Sequence, residues 1–194
     1  MTVEGLLREK HKPAKPDPES RFLLLANIGL LVLWLIWALD VYGSLPARIP
    51  LHFDAGGTPD RWGDKSILNW LGLYLAGLGL AIINLGCAFA IPVMIRKWPS
   101  AVNLPDKEKF LSLPQDAQKD FYPPLISMAF WIALSCTAVL WLMNYHIYQA
   151  AVSSEGGFSV VFAVVCVAIM IAAIIISIVF FLRRYNALMK KHAG

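Results

Sequence analysis

Four long hydrophobic runs, none of which contains a formal charge, constrain this chain more than any other feature. An α-helix crosses the ~30 Å hydrocarbon core of a bilayer with about 20 mostly apolar residues. The composition agrees, because 58% of the 194 residues are hydrophobic and 15% are charged, whereas soluble domains are roughly 45–50% apolar and 25% charged. The predicted fold class is therefore an all-α integral membrane protein with four transmembrane helices. The predicted spans are about 21–43, 67–95, 125–148 and 157–182.

Lysine and arginine are distributed unevenly between the two predicted sides of the membrane. Of the 17 such residues, 14 lie before the first run, between the second and third, or after the fourth. Short cytoplasmic loops carry this excess in multi-pass proteins. We therefore expect both termini in the cytoplasm, the 44–66 loop outside it, and the protein in the cytoplasmic (inner) membrane of a bacterium. The same bias accounts for the net charge of +4, so no nucleic-acid partner is implied.

The chain divides into a leader, 1–20, and a four-helix membrane domain, 21–194. The leader combines three prolines with charged residues and is predicted to be a disordered cytoplasmic segment, because it has too little apolar surface to bury. The inner connection, 97–124, mixes apolar and charged residues and predicts two short amphipathic helices at the membrane surface. The lipid bilayer is thus the first predicted partner.

Small residues recur along one face of the second predicted helix, at spacings of four, three, seven and four. In lipid, such a stripe lets another helix backbone approach closely. It predicts helix packing, and with it a membrane-protein partner or a homo-oligomer. The fourth helix carries a shorter pair of the same kind. The residues are Gly72, Ala76, Gly79, Gly86 and Ala90, with Ala168 and Ala172 in the fourth helix.

The polar loop between the first two spans, 44–66, holds most of the unusual residues. Pro46 and Pro50 predict a stiff, extended segment, and Gly56 and Gly57 predict a turn. The Thr58-Pro59-Asp60 sequence then predicts a short helical turn around Trp62. We expect the loop to fold back as a structured cap on the outer helix ends.

This loop resembles a known family. The pattern LPxxIPxHF, followed by GxPDxWxxK, is similar to the signature of the bacterial domain of unknown function sixteen forty-eight, whose relatives include Sdp-type toxin-immunity proteins. The resemblance implies a small multi-helix membrane protein, and for the immunity branch it implies protection against a secreted peptide toxin and signalling through sequestration of a repressor. This chain differs from that branch in retaining His52-Phe53 and Asp60-x-Trp62. The motif residues, which we take as a candidate recognition surface, are Leu45, Pro46, Ile49, Pro50, His52, Phe53, Gly57, Pro59, Asp60, Trp62 and Lys65.

The chemistry-bearing residues do not form a recognisable active site. His52, Asp54, Asp60 and His146 are of the types that ligate zinc or manganese, but no HExxH or paired-histidine motif supports them. A structural hydrogen-bonding role is the alternative for His52. The sequence also has no nucleophile elbow, phosphate loop or CxxC pair. We therefore expect no catalytic residue and no cofactor, and we read the polar residues inside the spans as contacts between helices.

Three functional hypotheses follow from the sequence. The first is a non-enzymatic membrane protein that senses or resists an extracytoplasmic peptide or envelope stress, with the outer loop as its receptor surface. The second is an accessory subunit of a larger membrane complex, which the small-residue stripes favour. The third is a metal-dependent membrane enzyme or small transporter that uses the outer His/Asp residues.

Overall fold

The chain forms four long helices, three short helices and one β-hairpin over the residues that the computed structural model describes, 17–98, 103–153 and 159–193. The predicted disordered leader lies outside them up to residue 16. The elements in chain order are α1 (Pro18–Asp40), a 3₁₀ turn (Val41–Ser44), β1 (Arg48–Phe53), β2 (Pro59–Asp64), α2 (Ile67–Trp70), α3 (Gly72–Lys97), α4 (Lys107–Ser112), α5 (Gln115–Lys119), α6 (Tyr122–Val152) and α7 (Val160–Ala193).

The four long helices confirm the predicted membrane class. Each of α1, α3, α6 and α7 is long and apolar enough to cross a bilayer. Helix α6 lies at the centre of the bundle and packs against the other three. In the most apolar 18-residue stretch of α6, 44% of the residues are buried, against 11–28% in the corresponding stretches of the other three helices. Most of the surface of α1, α3 and α7 is therefore left for lipid or for another protein.

Two helices begin earlier than predicted, and each has proline in its first turn. Proline is tolerated there because the N–H that it lacks would have no intrahelical partner. Helix α1 begins at Pro18, inside the predicted leader. Helix α6 begins at Tyr122 and takes Pro123 and Pro124 into its first turn, whereas the sequence predicted a start at residue 125. The connection from α6 to α7 lies largely outside the described residues, at 154–158.

The contacts between helices that were predicted for the polar residues of the spans form between α1 and α6, whereas Asn84, Ser135 and Ser177 donate to carbonyls of their own helices. The hydroxyl oxygens of Ser20 and Ser127 lie 3.0 Å apart. The amide of Asn27 donates to the Phe130 carbonyl at 3.1 Å. Such bonds between transmembrane helices contribute modestly, about 0.6 kcal/mol on average, but they fix the register of the two helices.

The end of the bundle opposite the hairpin, here called the basic end, contains the two predicted short helices, α4 and α5. Phe110 of α4 is fully buried against Phe121 and Tyr185, with ring centroids 5.2 and 6.4 Å away. The Tyr185 hydroxyl donates to the Pro105 carbonyl at 2.6 Å. The described part of the connection between α3 and α6, from residue 103 on, is therefore packed onto the end of α7.

The predicted small-residue stripe of α3 does not form the contacts between α3 and the other described helices. A Cβ built on Gly72, Gly79 or Gly86 would meet no atom within 4 Å. The close approach is instead at Gly77, where an added Cβ would lie 2.7 Å from Cζ3 of Trp34. Packing of the stripe against a second chain stays a prediction, as it does for the exposed pair on α7, Ala168 and Ala172.

Candidate functional site

The polar loop between α1 and α3 folds as an antiparallel β-hairpin. Arg48 pairs with Asp64 and Phe53 pairs with Pro59, with irregular register near His52. The predicted helical turn around Trp62 is wrong, because Trp62 lies in β2 opposite Pro50. Proline after a turn is compatible with a strand that has an open edge, where its missing N–H breaks no ladder bond.

The turn of the hairpin is held by Asp54. Its Oδ1 accepts hydrogen bonds from the backbone N–H groups of Gly56 at 2.8 Å and Thr58 at 2.9 Å. Gly57 has φ of 84°, a conformation that glycine adopts without steric cost. The Asp54 carboxylate is thus used in shaping the turn, and the turn explains why Gly57 is in the motif.

His52 and Asp60 form a pair on the exposed face of the hairpin. The Nδ1 atom of His52 lies 2.6 Å from Oδ1 of Asp60, and the two side chains are 58% and 48% exposed. The register shifts on either side of His52 bring the two residues together. This is the hydrogen-bonding arrangement that the sequence offered as the alternative to metal ligation.

Lys65 ties the base of the hairpin to the end of α1. Its ammonium donates to the carbonyls of Gly43 at 3.2 Å and Leu45 at 3.0 Å, and it lies 4.9 Å from the ring centroid of Tyr42. Leu45 and Ile49 are buried beside it. These contacts give the apolar and basic motif residues an anchoring role.

An aromatic platform supports the hairpin. Trp37 is its centre, with four other aromatic rings within 6.5 Å of it. The indole N–H of Trp70 donates to the Ala38 carbonyl at 2.7 Å, and deeper in the bundle the indole of buried Trp34 donates to Asn144 at 2.9 Å. The platform residues around Trp37 are Trp70, Trp141, Tyr145 and Tyr148.

A groove of about 420 Å³ opens between the hairpin and the nearby helix ends. Its polar groups are His52 and Asp54, at the hairpin side, and the rest of its lining is apolar. The volume lies within the range of roughly 300–1,000 Å³ found for ligand sites. The lining residues are Leu51, His52, Phe53, Asp54 and Ala55 of the hairpin, with Leu73, Met143, Ile147, Val160 and Ala163 of the helices.

The four weak metal candidates do not converge. Among the described residues, no three His, Cys, Asp or Glu side chains come together as a metal site. His146 instead stacks on Phe162, with ring centroids 3.5 Å apart, while Asp54 serves the turn and His52 contacts Asp60.

The motif residues separate into anchors and exposed groups. His52, Asp60 and Trp62 are exposed and Gly57 is buried in the turn. Leu45 and Ile49 are buried with the platform residues, and the other motif residues are buried or half-buried. Sequence reasoning missed the helix side of the groove, because Leu, Met, Ile, Val and Ala residues in a span carry no signal of which face they take. The motif residues with anchoring contacts are Leu45, Ile49 and Lys65, while the sequence had named them, with Pro46, Pro50, Phe53 and Pro59, as a candidate recognition surface.

The fold and the hairpin together define a class: a four-span helical membrane protein with a β-hairpin between its first two spans. Residues 28–75, which cover the end of α1, the hairpin and the start of α3, match the family described as Domain of unknown function (DUF1648). This match confirms the family resemblance of the motif. An uncharacterised protein of Archaeoglobus fulgidus is 27% identical over 146 residues, which cover 72% of this chain and 75% of that protein. No solved structure matches the chain.

Proposed function

We propose that this chain is a non-enzymatic receptor of the cytoplasmic membrane whose groove binds apolar side chains of an extracytoplasmic peptide. The groove beneath the hairpin carries this proposal, since it is preformed, mostly apolar and bordered by motif residues. A volume of about 420 Å³ admits a few side chains rather than a whole peptide. The uneven distribution of Lys and Arg supports an outward-facing hairpin.

The hairpin also offers backbone groups to such a ligand. It has two strands, so each strand has one edge whose N–H and C=O groups are not used by the other. An extended peptide can pair with such an edge while alternate side chains enter a pocket. Residues 51–53 of β1 line the groove, which favours β1 as the pairing edge. Sensing or resisting a secreted peptide is the role that this arrangement would serve.

The proposal is tested in a deletion strain challenged with secreted peptide toxins and with membrane-active peptides. We expect the strain to be more sensitive than its parent, and wild-type protein to restore resistance. Ala163→Trp, which fills the groove from α7, should fail to restore it. Val164→Trp is the matched control, because Val164 is 62% exposed on the same helix and does not line the groove. Equal sensitivity of deletion and parent strains would remove the support for this function.

An accessory role in a larger membrane complex is the second candidate, and the open face of α3 favours it. Gly72, Gly79 and Gly86 have open space where a side chain would lie, and Ala76 and Ala90 on the same stripe are exposed. Small residues on an open face allow close contact with a transmembrane helix of another protein.

Co-purification from native membranes in mild detergent tests the accessory role. We expect a second membrane protein to be recovered with the wild type and lost with Gly79→Leu and Gly86→Leu together. Gly29→Leu is the control, because Gly29 also has open space around it but lies on α1, away from the stripe. Recovery of this chain alone, as monomer or homodimer, argues against the accessory role.

A further inference from the structure

A second cavity lies at the basic end, between the end of α3 and the short helix α5. Its volume is about 310 Å³. Helix α5 is held beside it by Gln118, whose side-chain amide donates to the Leu113 carbonyl at 2.9 Å. The cavity is therefore part of the packed connection between α3 and α6, and it is separate from the groove beneath the hairpin.

Two cationic side chains and three further polar residues line this cavity. They are Arg96 at the end of α3, Gln115, Gln118 and Lys119 of α5, and Tyr122 at the start of α6. Arg96, Lys119 and Tyr122 come from three different helices or helix ends and line the same cavity. Guanidinium, ammonium, amide and phenol groups are all hydrogen-bond donors, so this set suits an anionic oxygen ligand.

The cations are available to a ligand. Arg96 is exposed and forms no ion pair with the described residues. Lys119 lies 2.6 Å from Asp116, whose side chain is 86% exposed. Such an exposed pair contributes little, about 0–1 kcal/mol, so it competes weakly with a dianionic or monoanionic phosphate for the ammonium group.

Apolar side chains complete the lining of the cavity, and two of them are partly exposed. Pro92, Val93 and Leu111 line it, and Val93 and Leu111 are 38% and 36% exposed. Trp98, directly after α3, is 60% exposed. Tryptophan is enriched at the level of lipid headgroups, which favours that level for the end of α3 and Arg96. Val93 lies about one turn earlier on α3, on the side of the predicted span.

We propose that this cavity binds an anionic phospholipid, with its phosphate held by Arg96 and Lys119 and an acyl chain against Val93 and Leu111. A free phosphate would use the same cations, but it would leave the apolar part of the cavity unfilled. The positive side of a multi-pass protein faces the cytoplasmic leaflet, and anionic lipids there attract basic groups. The bound lipid would connect α3 to the short helices and fix their arrangement.

Lipid retention on the purified full chain tests this proposal. The protein in mild detergent is mixed with phosphatidylglycerol or with phosphatidylcholine, and the bound lipids are counted by native mass spectrometry. We expect one phosphatidylglycerol to be retained preferentially. Replacing Arg96→Gln and Lys119→Gln together should lower its retention by roughly tenfold or more, because hydrogen bonds to charged groups are the strong ones.

A second pair of charges provides the control. Lys109→Gln with Arg183→Gln removes one lysine and one arginine from the same end, and neither lines the cavity. Equal loss in both double variants would show a diffuse charge effect and overturn the site, as would equal retention of phosphatidylcholine.

Inorganic phosphate, added alone to the delipidated protein, distinguishes a free phosphate from a lipid headgroup as the ligand. If phosphate raises the melting temperature as much as phosphatidylglycerol does, the lipid proposal is overturned. Unchanged circular dichroism of the variants confirms that they fold.

Discussion

Single residues decide how closely the helices of this bundle approach. At Gly77 the backbone of α3 lies against Trp34, which is fully buried and hydrogen-bonded to Asn144. Because the Trp34 ring is fully buried, any side chain at position 77 would clash with it. Two residues further along, at Gly79, the space beside the backbone is open.

These two glycines should respond oppositely to the same substitution. Gly77→Ala places a Cβ 2.7 Å from the Trp34 ring, and overpacking of this kind costs about 1–3 kcal/mol. Gly79→Ala meets no atom, and alanine in a helix is favoured over glycine by up to about 1 kcal/mol. Thermal unfolding in detergent measures both changes. A melting temperature that falls equally for the two variants would contradict the packing at Gly77.

The two strands of the hairpin cannot stabilise it alone, because an isolated two-stranded hairpin has only marginal stability in water. It is supported by buried Leu45 and Ile49, by the platform around Trp37 and by the bonds from Lys65. The motif therefore specifies a hairpin and its anchorage, and it leaves the His52 and Asp60 pair exposed.

Removing the lysine anchor should loosen the hairpin without unfolding the bundle. Lys65→Met loses two hydrogen bonds to carbonyls and the contact with Tyr42. Because these contacts are partly solvated, we expect the free energy of local opening to fall by roughly 1 kcal/mol. Amide hydrogen exchange in the hairpin should then be about fivefold faster. Exchange measured by mass spectrometry should rise in residues 43–65 and stay constant in α6. Arg61→Met, at an exposed position of β2, is the control and should leave exchange at the base of the hairpin unchanged.

The whole molecule has two chemically different ends. The hairpin end carries the groove and the aromatic platform, and the basic end carries most of the Lys and Arg together with the second cavity. The positive-inside bias predicts that the basic end faces the cytoplasm.

This orientation is measurable with a membrane-impermeant maleimide. In a background with Cys87, Cys136 and Cys166 replaced by alanine, Ala55→Cys at the hairpin tip should be labelled in intact spheroplasts. Glu108→Cys in α4 should be labelled only after the membrane is opened. The reverse pattern would contradict the predicted orientation and, with it, an extracytoplasmic ligand for the groove.

The sequence by itself determined the four spans, the two short helices between α3 and α6, and the family match at the loop. Crossing a bilayer requires about 20 apolar residues in a row, which is a local property that a sequence displays directly. The prolines and glycines of the loop likewise predicted an extended segment and a turn. They did not distinguish a strand from a helical turn after Thr58, where the structure has strand β2.

The tertiary structure alone decided which faces of the helices meet. Within a span nearly every residue is apolar, so the sequence cannot tell a residue that faces lipid from one that faces another helix. For this reason it named Gly72, Gly79 and Gly86, while the close contact lies at Gly77. The sequence did not show the groove or the second cavity either. Each is built from residues far apart in the chain, and only the packing of α6 and the folding back of the hairpin and of α5 bring them together.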